Sequence, residues 1–222
     1  MSELIQRNVV VIPIFKGDSW NMIEASHRWS WGLSETFRTE FSLGHSDTSS
    51  HVSIYQAAYP PAALPHIKDS LQRIASATAM FPLVSVDCGI FWKNFIFWDM
   101  QKTAPLVKLH QACLNELNHL REGKLTPIQQ EFLADRAAAA QYAEKIRQYG
   151  HPLCATEMRP HITLTRLKKA RDAEPAIAWL RGQQTEKYRL RGMRAFVDRL
   201  FLTEVGPHGT CPKVLASFPF RT

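Results

Sequence analysis

Two short segments constrain this chain more than any other feature: HVSIYQ at 51–56 and HITLTR at 161–166. Each opens on a histidine and places a hydroxyl residue two positions later. In an extended strand, side chains at i and i+2 point to the same face. His51 therefore shares a face with Ser53, with Tyr55 next along, and His161 shares one with Thr163, with Thr165 next. Val52, Ile54, Ile162 and Leu164 face the other way, where helices can cover them. Each strand thus offers one imidazole and one hydroxyl, backed by an apolar face.

The surroundings of the two segments run in parallel. After His51 come a helical pattern over 62–79, a strand at 82–86 and an aromatic hairpin around Lys93-Asn94. After His161 come a short helix at 172–181, a strand at 188–191 and a second hairpin, 195–197 with 200–203, around Asp198-Arg199. A repeated order of elements places two equivalent sites face to face across a pseudo-twofold axis. Further elements are a buried strand at 8–15, helices at 104–121 and 127–149, a turn at 206–209 and a last strand at 214–220. Residues 17–50, with Trp20, Trp29 and Trp31, read as a mostly irregular insertion with one short helix. Its role stays open between capping a cleft, stacking a base and enlarging the core.

Composition narrows the classes. A chain of 222 residues is long enough for one domain of two lobes with its own core. No apolar run reaches the roughly 18 residues of a membrane helix, and Met1-Ser2-Glu3-Leu4 does not read as a secretory leader. Cys88, Cys113, Cys154 and Cys211 are scattered without a C-x-x-C pair, so neither a disulfide framework nor a zinc knuckle is expected and a cytoplasmic location is the default. The formal charge of +7 suits an anionic partner. Lys187, Arg189, Arg191, Arg194 and Arg199 make the second half basic, as a solvated face or as a rim that tracks phosphates.

Two facing histidine–hydroxyl strands suit one reaction. Hydrolysis of a phosphodiester needs a base to deprotonate water and an acid to protonate the departing oxygen. Imidazole, with an unperturbed pKa of ~6.5, serves as either near neutral pH. Ser53 and Thr163 hydroxyls would hold the non-bridging oxygens, where charge accumulates. No metal or cofactor is required.

On HVSIYQ at 51–56, PHITLTR at 160–166 and the closing LTEVGPHGTCPKVLASFPF, the sequence resembles the 2H phosphoesterase superfamily. The resemblance is to its bacterial 2′-5′ RNA ligases and RNA 2′,3′-cyclic phosphodiesterases, and it covers most of residues 8–220. It implies a single bilobal α+β domain over 1–222, with two antiparallel sheets lining a V-shaped cleft and helices outside. It implies His51 and His161 as catalytic residues and Ser53 and Thr163 as phosphate binders. Arg166 matches a substrate-contacting arginine of some members, although strand parity puts it opposite His161. Ser53 stands where threonine is commoner. The expected partner is an RNA end or a small nucleotide phosphodiester, with no membrane, bound by a monomer.

Other readings follow from the same residues. The protein is either a hydrolase or a 2′-5′ RNA ligase, or an RNA-binding module of the same fold without turnover. A metal-dependent hydrolase centred on His45, Asp47 and His51 is the remaining class. The aromatic hairpin Phe91-Trp92 and Phe95-Phe97-Trp98 either packs a core or stacks nucleobases.

Overall fold

The structure, a computed structural model, describes residues 4–13, 19–45 and 48–221. The expected strand end at Phe15 and the carboxylate of Asp47 lie outside these residues. In chain order the elements are β1 (Ile5–Val11), α1 (Ser19–Thr36), β2 (Val52–Tyr59), α2 (Leu64–Ser76), β3 (Phe81–Phe91) and β4 (Phe95–Met100). They continue as α3 (Ala104–Leu117), α4 (Pro127–Ala134), α5 (Arg136–Tyr149), β5 (His161–Arg166), α6 (Ala173–Gly182), β6 (Arg194–Val197), β7 (Arg199–Glu204) and β8 (Val214–Pro219).

The strands form two antiparallel four-stranded sheets, ordered β2-β1-β7-β8 and β5-β4-β3-β6. The two histidine strands, β2 and β5, are each the edge strand of one sheet, and they contact one another. The fold is the expected α+β arrangement of two sheets with helices. Helix α2 packs on β7 and β8, and α6 on β3 and β4. The other two helices are exchanged. Helix α1, which links β1 to β2, packs on β5 and β6 of the other sheet, while α3, which follows β4, packs on β2.

Four expectations change. Residues 17–50 hold an 18-residue helix rather than a short one, and Trp29 on it is fully buried against Trp98, with ring centroids 4.8 Å apart at 83°. Of the three roles left open for this insertion, enlarging the core is the one Trp29 fills. Residues 188–191 are not a strand, because their backbone is satisfied elsewhere: Leu190 N donates to Gln184 Oε1 (3.0 Å) and Leu190 O accepts from Trp98 Nε1 (2.8 Å). Segments 195–197 and 200–203 are strands but not a hairpin. Asp198 is the crossover between sheets, with its carbonyl accepting from Phe220 N (2.7 Å), so β6 pairs with β3 and β7 with β1 and β8. The helix expected over 127–149 breaks at Asp135, whose ψ of 111° leaves the helical region and whose Oδ1 accepts from Ala137 N (3.0 Å) at the next start.

The first hairpin forms as expected, with β3 running unbroken from 81 to 91. Its loop carries Trp92 (φ 39°) and Lys93 (φ 69°) in the left-handed region. Alternation along β4 sends Ile96 and Trp98 into the main core. Phe95 and Phe97 join Phe91, Phe132, Ile146 and Leu153 in a smaller second cluster.

Trp29 fills the interface between α1 and the sheet it crosses to. Trp29→Ala is expected to cost about 3–5 kcal/mol, read as a lowered denaturant midpoint with an unchanged slope; a loss under about 1 kcal/mol would show that α1 is not part of the cooperative core.

Candidate active site

Both histidine strands carry the same irregularity in the same register. In β2, Ser53 pairs with Val10 and Tyr55 with Val9, so Ile54 is an extra residue. In β5, Thr163 pairs with Phe97 and Thr165 with Ile96, so Leu164 is the extra residue. A bulge of one residue shifts side-chain alternation by one position. Beyond it, the residue on the histidine face is therefore five positions after each histidine, not four. These residues are Gln56 and Arg166.

This corrects the expectation for Tyr55. The bulge turns it to the apolar face, where its ring is buried and its hydroxyl donates to Asn118 Oδ1 and Tyr149 O, both at 2.9 Å. Gln56 lines the pocket in its place. The same shift removes the parity objection to Arg166, which lies on the side of Thr163.

A bulge leaves a carbonyl without a ladder partner, and each is captured by an exchanged helix. His110 Nδ1 on α3 donates to Ile54 O (2.6 Å). Ser30 Oγ on α1 donates to Leu164 O (2.6 Å). Each clamp holds a second group as well: His110 Nε2 accepts from Ala155 N (2.9 Å), and Ser30 Oγ accepts from Leu43 N (2.8 Å).

The two strands meet at one pocket. Its wall includes His51, Ser53 and Gln56 from the first motif, His161 and Thr163 from the second, and His151, His208, Gln129 and the phenylalanines 91, 95, 97 and 132. The pocket is partly open, and its space for the centres of water-sized spheres is about 70 Å³. One water needs roughly 10–15 Å³ on this measure, so the pocket has room for several waters or a group of that size.

The two motif histidines are anchored alike. His51 Nδ1 lies 2.8 Å from Ser49 O, and His161 Nδ1 lies 2.6 Å from Arg159 O, the carbonyl two residues back in each case. A carbonyl only accepts, so Nδ1 carries the proton and Nε2 is the nitrogen left to exchange one. His151 and His208 are set the other way. Leu153 N donates to His151 Nδ1 (3.2 Å) and Arg166 donates to His208 Nδ1 (3.1 Å), which makes Nε2–H the donor in both neutral rings. His208 is held at φ 59°, in the turn expected over 206–209. Ser53 Oγ accepts from Asn8 Nδ2 (2.7 Å), which leaves its own proton free for a ligand oxygen.

The environments of the two anchored rings differ. His161 stacks on Phe97, with centroids 3.5 Å apart at 11°. Burial, with smaller contributions from Arg159, His151 and His51, pushes its pKa down to about 3. His151 is lowered to about 4 by burial and by His110. Burial also works against charge on His51, but Cys211 and the Ser49 carbonyl outweigh it and hold its pKa above the usual 6.5.

Arg166 lies at the margin, lining an adjoining depression with Glu131, His208 and Gly209, its guanidinium over Phe95 (5.0 Å) and Trp92 (5.4 Å). The basic residues of the second half are partly spent elsewhere, Lys187 on Glu24 (3.0 Å) and Arg199 on Asp198 (2.8 Å). Among the described residues, no cluster of three or more His, Cys, Asp or Glu side chains has the arrangement of a metal site. No helix among them is long and apolar enough to cross a membrane. Sequence reasoning missed His151, His208, Gln56 and Asn8; of these only Gln56 left a signal, its offset from His51 matching that of Arg166 from His161.

The sequence signature of the 2′-5′ RNA ligase superfamily matches residues 26–206, and the chain belongs to this superfamily, the 2H phosphoesterases. Among solved structures, the chain resembles the TT0787 protein of Thermus thermophilus, at 16% identity and a TM-score of 0.56 over 98% of both chains. It also resembles Escherichia coli LigT complexed with phosphate, at 13% identity and a TM-score of 0.52 over 100% of both chains. LigT complexed with 3′-AMP gives 13% and 0.52 over 99% of this chain and 100% of that one. A search of curated proteins finds no match to the sequence.

Ser30 tests the clamp on the second bulge. Ser30→Ala leaves Leu164 O and Leu43 N unpaired in a buried site, at about 1–3 kcal/mol for each orphaned group; an unchanged denaturation midpoint would show that the bulge does not need it. The lowered rings fix a pH trend. Below their usual 6.5, His161 and His151 bind protons in the unfolded chain but not in the folded one, so stability is full above that value and is lost as pH falls toward 4. His51, raised in the fold, works in the opposite direction. The net expectation is a lower denaturation midpoint at pH 5 than at pH 7.5, and a higher one would contradict the neutral assignment of the two lowered rings.

Proposed function

We propose that the protein is a metal-independent phosphodiesterase acting on 2′,3′-cyclic phosphate or 2′-5′-linked nucleotides, with RNA ends as its large substrate. The observation that carries this reading is the meeting of two matched histidine–hydroxyl strands at one pocket, each ring anchored through Nδ1.

One histidine takes a proton from water as the water oxygen bonds to phosphorus. The other gives a proton to the ribose oxygen as its bond to phosphorus breaks. Ser53 and Thr163 donate to the non-bridging oxygens, and the Nε2–H groups of His151 and His208 add donors at the same place. Arg166 holds a neighbouring phosphate or the ribose edge at the margin, and the phenylalanine wall receives the base. LigT, which shares the fold, has been crystallised with phosphate, 3′-AMP and ATP, which is consistent with an anionic nucleotide here. Ligation uses the same groups in reverse, and in water hydrolysis prevails. A binding module without turnover would not need both histidines.

The test is hydrolysis of a 2′,3′-cyclic nucleotide with EDTA present. Wild type is expected to be active, and His51→Ala and His161→Ala each to lose about 10²–10⁴ in kcat. Thr163→Val is expected to lose about 10², the worth of one oxyanion donor, and Arg166→Ala to raise KM more than it lowers kcat. Loss of wild-type activity in EDTA overturns the metal-free chemistry; activity surviving both alanine variants overturns the site.

A further inference from the structure

The two motifs match in their carbonyl anchor, hydroxyl, bulge and final polar residue, yet one group has no counterpart. The Sγ of Cys211, in the segment between β7 and β8, lies 3.4 Å from His51 Nε2. The sulfur is buried, and two further donors lie beside it: Thr203 Oγ1 at 3.2 Å, which shares its proton with Asn8 O (3.3 Å), and Asn8 Nδ2 at 3.8 Å, which also donates to Ser53 Oγ. His161 instead stacks the face of its ring on Phe97.

Counting protons gives the sulfur a role. His51 Nδ1 must carry a proton to meet the Ser49 carbonyl, so Nε2 carries one only if the ring is a cation. The Cys211–His51 contact therefore holds a single proton, on sulfur or on Nε2. The Thr203 hydroxyl and the Asn8 amide both present protons toward the sulfur, which suits it as an acceptor. That arrangement favours the thiolate and sends the proton to nitrogen.

We propose that Cys211 is a positioning residue that keeps the proton on His51 Nε2, making His51 the general acid and leaving His161 as the base. The assignment rests on the reading of the pair as acid and base, and it deepens that reading by naming which is which. In the step, His51 Nε2–H passes to the departing ribose oxygen while its bond to phosphorus breaks. His161 Nε2 takes the proton of the attacking water.

The surrounding charges are consistent. The other titratable groups at the pocket are His161 on β5, His151 before it and His208 in the β7–β8 turn, and no carboxylate is among its described lining residues. Arg159 stands behind His161, while Arg166 and Glu131 lie in the adjoining depression. Among the described residues, Cys211 is thus the group in contact with His51 able to carry negative charge. Its thiol is the one lowered below the usual thiol value, since His51, Thr203 and Asn8 outweigh the effect of burial.

Two measurements test this, and the first needs no substrate. Burial raises the other cysteines, Cys88 to about 11, Cys154 to about 12 and Cys113 well above the usual value. Ultraviolet thiolate absorbance near neutral pH therefore reports Cys211 alone. Wild type is expected to show close to one thiolate there, and Cys211→Ser and His51→Asn to lose it. A wild-type spectrum whose first thiolate appears only above pH 9 overturns the proposal, whether or not the variants fold.

The second measurement is the pH profile of kcat/KM on a 2′,3′-cyclic nucleotide. Wild type is expected to hold its rate above neutrality, while Cys211→Ser and Cys211→Ala bring the alkaline limb down by about one pH unit or more. A uniform fall in rate without movement of that limb gives Cys211 a merely structural place and overturns the proposal. Absence of any wild-type turnover would instead sink the phosphodiesterase reading, while the absorbance titration still decides the pair.

Discussion

The site depends on two backbone carbonyls that a regular sheet would have paired with a neighbouring strand. Ile54 O and Leu164 O are freed by bulges and claimed by side chains from helices, His110 and Ser30. Each bulge resets which residues face the pocket, and each clamp ties that reset to a helix arriving from elsewhere in the chain. Without the bulge, Tyr55 and Thr165 would stand where Gln56 and Arg166 stand. The helices α1 and α3 thus do more than bury sheet faces: they fix the direction in which the strands present their chemistry.

The same clamps connect distant segments. His110 joins the bulge of β2 to Ala155 N, and so to the loop that carries His151. Thr165, next to the second bulge, donates from Oγ1 to Phe41 O, while Arg166 O accepts from Glu40 N (2.8 Å). The stretch after α1 therefore lies against the end of β5. Residues remote in sequence thereby hold both bulges and the far end of β5.

Much of this was legible because it follows local rules. The period-two pattern in HVSIYQ and HITLTR gave both strands and the pairing of His51 with Ser53 and of His161 with Thr163. The helices over 64–76 and 104–117 follow from apolar residues at three-and-four spacing. What could not be read was non-local. A bulge has no composition of its own, so parity misplaced Tyr55 and made Arg166 look misdirected. The polar pair Asp198-Arg199 has the chemistry of a hairpin turn, and only the competition between two sheets makes it a crossover. Ser19–Thr36 carries a polar and aromatic mixture with weak periodicity, and its helix follows from the pocket prepared for Trp29 against Trp98. Cys211 looked like a scattered thiol because its partner lies 160 positions away.

The exchange of α1 and α3 between the sheets has a consequence for symmetry. Two identical half-chains that exchanged these helices in the same way would be related by a true twofold axis. Such an assembly would be obliged to surround both imidazoles identically, and neither could be told from the other by the proton it holds. Joining the halves in one polypeptide removes that obligation. Sulfur stands beside one ring and a phenyl face beside the other, so the pocket has a direction, and a molecule placed in it would meet different chemistry at its two ends.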